Sequence, residues 1–598
     1  MSNFKVPLRD IEFVLFEVFH FEEHCAEYCP SLDRSLTLAL LEEAARFSEQ
    51  VLAPLSATGD KEGCRLENGK VFTPNGFKAA YEQYCDAGWP SLSRSLDFGG
   101  QGLLQSLYFV MNEISASANY AWTMYSSLSQ GAMHTIESHG SETQKQAYLP
   151  SLISGKWTAT MCLTEAHCGT DLGLLKTKAT PVNDGRYKIT GSKIFISCGD
   201  HDLAENIVHI VLARLPDAPA GTRGISLFIV PKIAVNADGS LGENNKVTCG
   251  SLEHKMGIHG NATCVLNFDG AMGTLLGEPN KGLHLMFTFM NLARLGASLQ
   301  GLAHAESGFQ KSLHYSLQRL QGRSLSSTKS PSTAADPIIV HPDVRRMLLT
   351  QKALSEGMRM MAYFAAKRFD IAEHAQSAIQ RQSAQDMLSF LTPIAKGFMT
   401  ELGFESANLA LQCFGGHGYI REWGVEQNVR DCRVASLYEG TTGVQALDLL
   451  GRKILLSNGS LLGGFADCLR IYCNESANIP ELSPYVKTLA RLHAEWLTLT
   501  ARIGERALAN SDEVGAASVD YLMYCGYIFM GYMWARAAKT AIQALAAGTQ
   551  EEDFYRAKLE TARFYFERIL PRTLSLVATI NSGSDNLMNL AADHFSFS

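Results

Sequence analysis

The chain has 598 residues, 46% hydrophobic and 19% charged, which excludes a disordered polypeptide and leaves room for about four folding units. Lys+Arg 52 against Asp+Glu 60 give a net charge of −8 with no dense basic run, so no nucleic-acid partner is expected. The 14 cysteines include no CxxC pair, and the nearby His24, Cys25 and Cys29 read as buried groups in a reducing cytoplasm rather than as a metal site.

No targeting or integral membrane segment is expected. Met1-Ser2-Asn3-Phe4-Lys5 lacks a basic region, and Glu17 interrupts the apolar run over 13–21. The most membrane-like stretch, 521–535, ends before Arg536 and falls short of the roughly 18 residues a spanning helix needs. It reads as a buried core or interface helix of a cytoplasmic protein.

Residues 32–155 have a helical texture: Leu36, Leu40, Ala44, Phe47 and Val51 recur at helical spacing. Ser141-Glu142-Thr143-Gln144 predicts a capping box ahead of Tyr148 and Leu149, with the Ser141 hydroxyl accepting from the Gln144 backbone and the Gln144 side chain reaching back. Over 159–271 the period shortens. Asn183-Asp184-Gly185 predicts a hairpin turn into a strand at 187–190, and a second strand at 193–197 follows Gly191. Further β-rich runs lie at 206–212, 225–230 and 264–268 with no long helix between them, so an antiparallel sheet or small barrel is expected.

One long helix is predicted over 283–323, then a Ser/Thr/Pro-rich loop over 324–336 and further helices over 342–456. A Gly/Ser/Asn-rich stretch at 458–464 reads as a boundary, and 484–597 is again helical. The predicted domains are 1–158 (leader and helices), 159–280 (β), 281–457 (helical) and 465–598 (helical extension).

There is no complete GxGxxG, Walker A, GxSxG or HExxH pattern, and Gly416-His417-Gly418 lacks both a third glycine and a preceding strand. Four polar, glycine-bearing segments stand at element boundaries. They are Met161-Cys162-Leu163-Thr164-Glu165-Ala166-His167-Cys168-Gly169-Thr170-Asp171, Lys193-Ile194-Phe195-Ile196-Ser197-Cys198-Gly199, Leu411-Gln412-Cys413-Phe414-Gly415-Gly416-His417-Gly418-Tyr419 and Leu437-Tyr438-Glu439-Gly440-Thr441-Thr442-Gly443. Taken singly they read as a turn, a half-buried strand, a helix-packing glycine pair and a surface loop.

In this order and spacing they resemble the acyl-CoA dehydrogenase family over 36–453, and the tail after 465 resembles its longer bacterial branch, which includes fatty acyl-CoA and 3-methylmercaptopropionyl-CoA dehydrogenases. The resemblance implies an α+β fold: a helical N-domain, a central antiparallel β-domain, a helical-bundle C-domain and an extra C-terminal helical domain. It also implies FAD. Thr164, with backbone from Met161 and Leu163, would meet the isoalloxazine edge; Phe195 would cover the ring, with Ser197 near the reactive nitrogen. Gly169 and Thr170 would meet phosphate, and Thr441 also falls in the cofactor set. Arg319 and Gln321, with Gln412, Gly415 and Gly416, would hold the adenosine end across a homodimer.

By the same resemblance Glu439 is the catalytic base, and Thr170, Asn291, Arg294, Tyr438 and Gly440 meet acyl-CoA. The implied reaction is FAD-dependent α,β-dehydrogenation of a medium or long straight-chain acyl-CoA in fatty acid β-oxidation, with an electron-transfer flavoprotein as acceptor. A 3-methylmercaptopropionyl-CoA dehydrogenase, an acyl-CoA oxidase and a non-catalytic helical scaffold are the alternatives. Two departures stand out: Ala166-His167-Cys168 replaces the common Pro-Gly-Ala, and Gly443 stands where shorter relatives often carry a flavin-contacting Gln, leaving the role of Gln445 open. Met358, Met360, Met361 and the 286–290 run are candidates for an adaptable pocket, although Met and Phe at helical spacing more often form ordinary core.

Overall fold

The computed structural model describes residues 4–182, 184–236 and 238–596, so Asn183 of the expected turn and Phe597 lie outside the described residues. By contacts the chain forms two units, one of 1–6 with 35–296 and one of 7–34 with 297–598. The leader over 7–34 therefore groups with the C-terminal half, not with the N-terminal helices that follow it in sequence.

In the first unit, α1 (Gln105–His139) is buried on nearly every face, polar residues such as Asn112, Glu113 and Gln130 included. It kinks at Asn119 (φ −157°), whose Oδ1 accepts from Trp122 N at 3.2 Å, restarting the helix as an internal cap. The capping box forms at the start of α2 (Glu142–Ile153), with Gln144 N to Ser141 Oγ 3.2 Å and Ser141 N to Gln144 Oε1 3.0 Å. A short hairpin, Arg65–Glu67 with Lys70–Phe72, interrupts the helices expected over 32–155.

Seven strands form the main sheet of the β block, beside a small hairpin of Ile233–Val235 with Leu241–Asn244: β1 (Trp157–Cys162), β2 (Lys178–Pro181), β3 (Tyr187–Ser197), β4 (Asn206–Arg214), β5 (Ile225–Pro231), β6 (Val247–Leu252) and β7 (Thr263–Leu275). The pairings β7–β3–β2–β4–β5–β7 close a small barrel, with β6 added on β7 and β1 on β4. Most pairs are antiparallel, but β4 runs parallel to both β1 and β2, to which it is joined by longer excursions rather than by tight turns. β3 is a single strand where two were expected. It passes unbroken through Gly191, where a Cβ would stand 2.5 Å from Thr177 Oγ1, so bare backbone lets the neighbouring chain close in. β4 is buried on both faces: Val208, Ile210 and Leu212 pack with α1 and α2, and Val211 and Ala213 join Ala179, Phe228 and Phe268 in a second core.

The chain passes to the second unit within α3 (Gly282–Gln318), which ends five residues before the predicted limit. The expected loop follows, wrapped around Asp336, whose carboxylate accepts from Ser324 N (2.9 Å) and Ser330 N (2.7 Å). α4 (Pro342–His374) and α5 (Ala378–Cys413) are long, and Gly403 of α5 lies so close to Gly301 of α3 that a Cβ would meet Gly301 Cα at 2.4 Å. Then come α6 (Thr442–Leu447) and α7 (Asp512–Ala546), the latter containing the most apolar stretch as a buried helix. No helix among the described residues is long and apolar enough to cross a membrane. Met358, Met360 and Met361 are fully enclosed core residues. The helix Ser460–Ser476 begins inside the glycine-rich stretch read as a boundary.

The leader is tied into this unit by charge. Asp10 lies between Arg359 and Lys558, all three buried, while Arg359 also reaches Glu306 (2.9 Å) and Lys558 reaches Glu356 (2.8 Å). His24 Nε2 is 2.8 Å from Asp370 Oδ2, and Cys25 and Cys29 are buried, with burial pushing the Cys25 thiol up to about 12.

Candidate functional site

The first predicted segment leaves β1 at Cys162 and turns sharply: Glu165 N donates to Cys168 O and Cys168 N to Glu165 O, at 2.9 and 3.0 Å. A buried ion pair fixes the turn. Lys193 Nζ on β3 donates to Glu165 Oε1 (2.9 Å) and Leu163 O (2.8 Å). Lys176 N (2.7 Å) and the Thr177 hydroxyl (2.6 Å) also donate to the Glu165 carboxylate. Burial alone would raise this carboxyl, but Lys193, Thr177 and the Lys176 N–H outweigh it and hold it at about 2. His167 and Cys168 lie close to Glu165, yet the Glu165 oxygens are committed to these donors.

The second segment is shaped by a β-bulge. Cys264 pairs with Ile196 and Leu266 with Lys193, so Ile194 and Phe195 together oppose Val265. Ile194 N donates to Thr164 O (2.9 Å), stitching the two segments together, and Phe195 takes φ 60°. The bulge turns the Phe195 ring outward, 59% exposed, an unusual position for a large aromatic in a strand. Ser197 is half-buried and Gly169 and Thr170 are exposed. The side-chain hydroxyls of Thr164, Thr170 and Ser197 have no hydrogen-bond partner among the described residues. Also in this unit, Arg294 is buried with its guanidinium 5.5 Å from the Phe287 ring centre and Nη1 3.5 Å from Oδ1 of the exposed Asn291. Met286 and Phe289 are core, with Phe289 pressed on Gly131.

In the second unit the segment around Glu439 is a tight turn ahead of α6. Glu439 and Gly440 take φ 56° and 86°, consecutive left-handed residues, and Glu439 bears the Cβ cost of that conformation. Thr441 caps α6 through Val444 N (3.2 Å). The Tyr438 hydroxyl donates to Gln300 Oε1 at 2.5 Å. Lys396 Nζ donates to Gly440 O (2.6 Å) and Gln445 Nε2 to Glu439 O (3.0 Å).

The third segment follows α5. Gln412, Gly415 and Gly416 are exposed, and a Cβ on either glycine would meet nothing within 4 Å. Behind them Tyr315 stacks on Phe414 (4.2 Å), His417 stacks on Trp423 (4.3 Å), and the Tyr315 hydroxyl lies 2.9 Å from His417 Nδ1. Arg319 and Gln321 are exposed beyond the end of α3, and the Arg319 side chain makes no ion pair among the described residues.

Comparison with known proteins decides the family. Four models match in succession: acyl-CoA dehydrogenase N-terminal domain over 37–156, middle domain over 160–271, C-terminal domain over 280–455, and an acetyl-CoA dehydrogenase C-terminal-like domain over 465–591. A 3-methylmercaptopropionyl-CoA dehydrogenase of Ruegeria pomeroyi is 40% identical over 588 residues, spanning 98% of this chain and 99% of that protein. The chain belongs to the acyl-CoA dehydrogenase family. A broad-specificity linear acyl-CoA dehydrogenase of Mycobacterium tuberculosis is 32% identical over 608 residues, covering 99% of both chains. An acyl-CoA dehydrogenase of Bacillus anthracis solved with FAD shares the fold, with TM-score 0.75 and 19% identity over 97% of this chain and 92% of that one.

The chain is thus an oxidoreductase with acyl-CoA dehydrogenase activity, and FAD is the cofactor of its family. The residues present fit that group. Phe195 offers an outward aromatic face, and the hydroxyls without protein partners are of the kind that meet a heteroaromatic edge. The exposed glycines leave backbone amides open to phosphate. Reading the sequence did not single out the Glu165–Lys193 pair, Gln300 or Lys396. The first pair lies inside two quoted segments, and the bulge at Ile194–Phe195 puts Lys193 on the buried face with Ile189 and Ile196 while Phe195 turns outward.

Proposed function

We propose that the protein converts a straight-chain acyl-CoA thioester to the trans-2-enoyl-CoA, with Glu439 removing the α-proton and an electron-transfer flavoprotein taking the electrons. The observation that carries this is the Glu439 turn: a carboxylate-bearing residue held at φ 56° by donors from two helices is strain that local packing does not require. FAD, when bound, accepts the hydride that leaves the β-carbon. The protein's own tasks are to orient the thioester, exclude water and take the proton. An α-proton next to a thioester is held far more tightly than a carboxylate holds its own, so N–H groups at the turn must polarise the carbonyl as charge develops on its oxygen. An apolar acyl chain that displaces water strengthens the Glu439 carboxylate as a base.

Met161, Leu163, Thr164, Gly169, Thr170, Phe195, Ser197 and Thr441 serve the cofactor in this reading, as do Arg319, Gln321, Gln412, Gly415 and Gly416 across a homodimer. Thr170, Asn291, Arg294, Tyr438 and Gly440 serve the substrate. The deciding variant is Glu439→Gln, nearly the same shape but unable to take a proton. It should stay yellow and bind acyl-CoA, and its flavin reduction should fall by about 10²–10⁴-fold or more. Bleaching at the wild-type rate in anaerobic mixing would exclude Glu439.

Medium or long chains in β-oxidation are the first expectation for the substrate. The 40% identity to the Ruegeria enzyme favours a second reading, a short chain with a thioether of the 3-methylmercaptopropionyl kind. A series of acyl-CoA thioesters with an artificial acceptor separates the two. Turnover with oxygen in place of a flavoprotein acceptor would indicate an oxidase, and a monomeric mass by light scattering with FAD fully bound would refute the shared site.

A further inference from the structure

The loop that carries Glu439 is held by two buried side chains that both bind its carbonyls. Lys396, in the middle of α5, is fully enclosed, and its ammonium is 2.6 Å from Gly440 O. Gln445 is equally enclosed; Nε2 is 3.0 Å from Glu439 O, while Oε1 is buried with no partner among the described residues. Burying an ammonium is costly unless its hydrogen bonds are made, so a lysine placed here must have its bonding met from within the fold.

The two carbonyls belong to consecutive planar peptides. Fixing both planes fixes both dihedrals of Gly440 and the position of Glu439 Cα, which lies in the first plane, so the direction in which Glu439 Cβ leaves the chain is left to rotation about the Glu439 Cα–C bond alone. In a trans peptide the N–H points opposite the C=O, so these donors also turn the Gly440 and Thr441 N–H groups away from Gln445 and Lys396 respectively. The fit is close: a Cβ on Gly440 would stand 2.5 Å from Gln445 Nε2. Without the donors, a glutamate at φ 56° can relax towards an ordinary conformation.

We propose that Lys396 and Gln445 are positioning residues for proton abstraction: they clamp the Glu439–Gly440 turn so that the carboxylate is aimed at the α-carbon. The amide nitrogen of Gln445 is committed to the loop, which leaves its Oε1 as the group able to make a contact that Gly443 does not. The inference rests on Glu439 being the base.

The test isolates the proton step from the redox step in the FAD-loaded enzyme. Methylthioacetyl-CoA carries α-protons and has sulfur where the β-carbon would be, so it exchanges α-protons for deuterium in D2O without losing a hydride. Exchange is followed by NMR. Lys396→Met and Gln445→Met should slow exchange by about 10- to 100-fold, with FAD content unchanged and thioester affinity within about threefold. Lys396→Arg keeps a cationic donor and should exchange faster than Lys396→Met. Gln445→Met removes only a neutral donor and carries the test if Lys396→Met does not fold. Wild-type exchange in both Met variants, with Glu439→Gln inert in the same assay, would overturn the positioning role and leave the base in place. Loss of FAD from both Met variants would overturn it as well. Wild-type exchange in Glu439→Gln would remove the base and this inference together.

Discussion

Phe195 and Glu439 are both non-glycine residues at positive φ, 60° and 56°, yet the chain holds them by different means. The Phe195 bulge is fixed by main chain: Ile194 N on Thr164 O, Cys198 N on Ala262 O (2.7 Å) and the ladder between β3 and β7 on either side. The Glu439 turn is fixed by the side chains of Lys396 and Gln445. Backbone donors survive any substitution except proline, whereas a side-chain donor is lost with one codon. The first region should therefore tolerate changes at the strained residue itself and fail only when the frame beneath it fails. The second should respond to changes in residues that never touch substrate.

The largest effect expected in the first region comes from its frame. Lys193→Met leaves the Glu165 carboxylate buried beside Leu163 without its cation, and breaking such a pair from one side costs about 3–5 kcal/mol. The expected outcome is a thermal unfolding transition shifted down by several degrees with early flavin release. Adding Glu165→Gln to the same variant should recover part of the loss, because the stranded charge is then gone. If Lys193→Met melts with the wild type, the pair does not hold the frame.

A smaller, graded effect follows from the same carboxylate. Glu165 is held at about 2 in the fold against an ordinary 4.5, a depressed value. Its contribution to stability is therefore fully present above about 4.5 and is lost as pH falls from there towards 2. Denaturant midpoints of wild type and Lys193→Met should converge as pH drops from 5 to 3. A gap that stays constant over that range would assign the difference to packing rather than to charge.

The comparison also bears on what the residues disclose in sequence. The capping box at Ser141, the β4 run and the long helix α3 are legible because their signals are local: a cap motif, a continuous apolar strand, a long run without proline. The Phe195 bulge is half legible, since the motif marks the residue but not its twist. The Lys396–Gly440 contact joins positions 44 apart, and nothing in the helix around Lys396 distinguishes it from a surface lysine until the fold encloses it. The grouping of 7–34 with the C-terminal half brings Asp10 to Arg359 and Lys558, and Phe13 and Phe19 to Phe554 and Phe364, pairings no periodicity records. β6 was missed for a local reason: Gly250 places a bulge in a short strand and breaks its alternation.

The smallest expected effect separates strain from function at Phe195. Its ring is 59% exposed, so Phe195→Gly removes little packing from the flavin-free protein. At φ 60° the substitution relieves a Cβ clash of about 1–3 kcal/mol, against the roughly 0.5–1 kcal/mol that glycine costs in backbone entropy. The melting temperature of the flavin-free variant should therefore equal or slightly exceed that of the wild type. FAD affinity should move the other way. Losing one aromatic face removes about 0.5–1.5 kcal/mol of ring contact, or roughly 2- to 10-fold in affinity, readable by fluorescence titration. Opposite signs for stability and affinity would mean that the main chain tolerates the strain to present the ring. A drop in flavin-free stability with unchanged FAD affinity would make Phe195 a structural residue and remove it from the cofactor set.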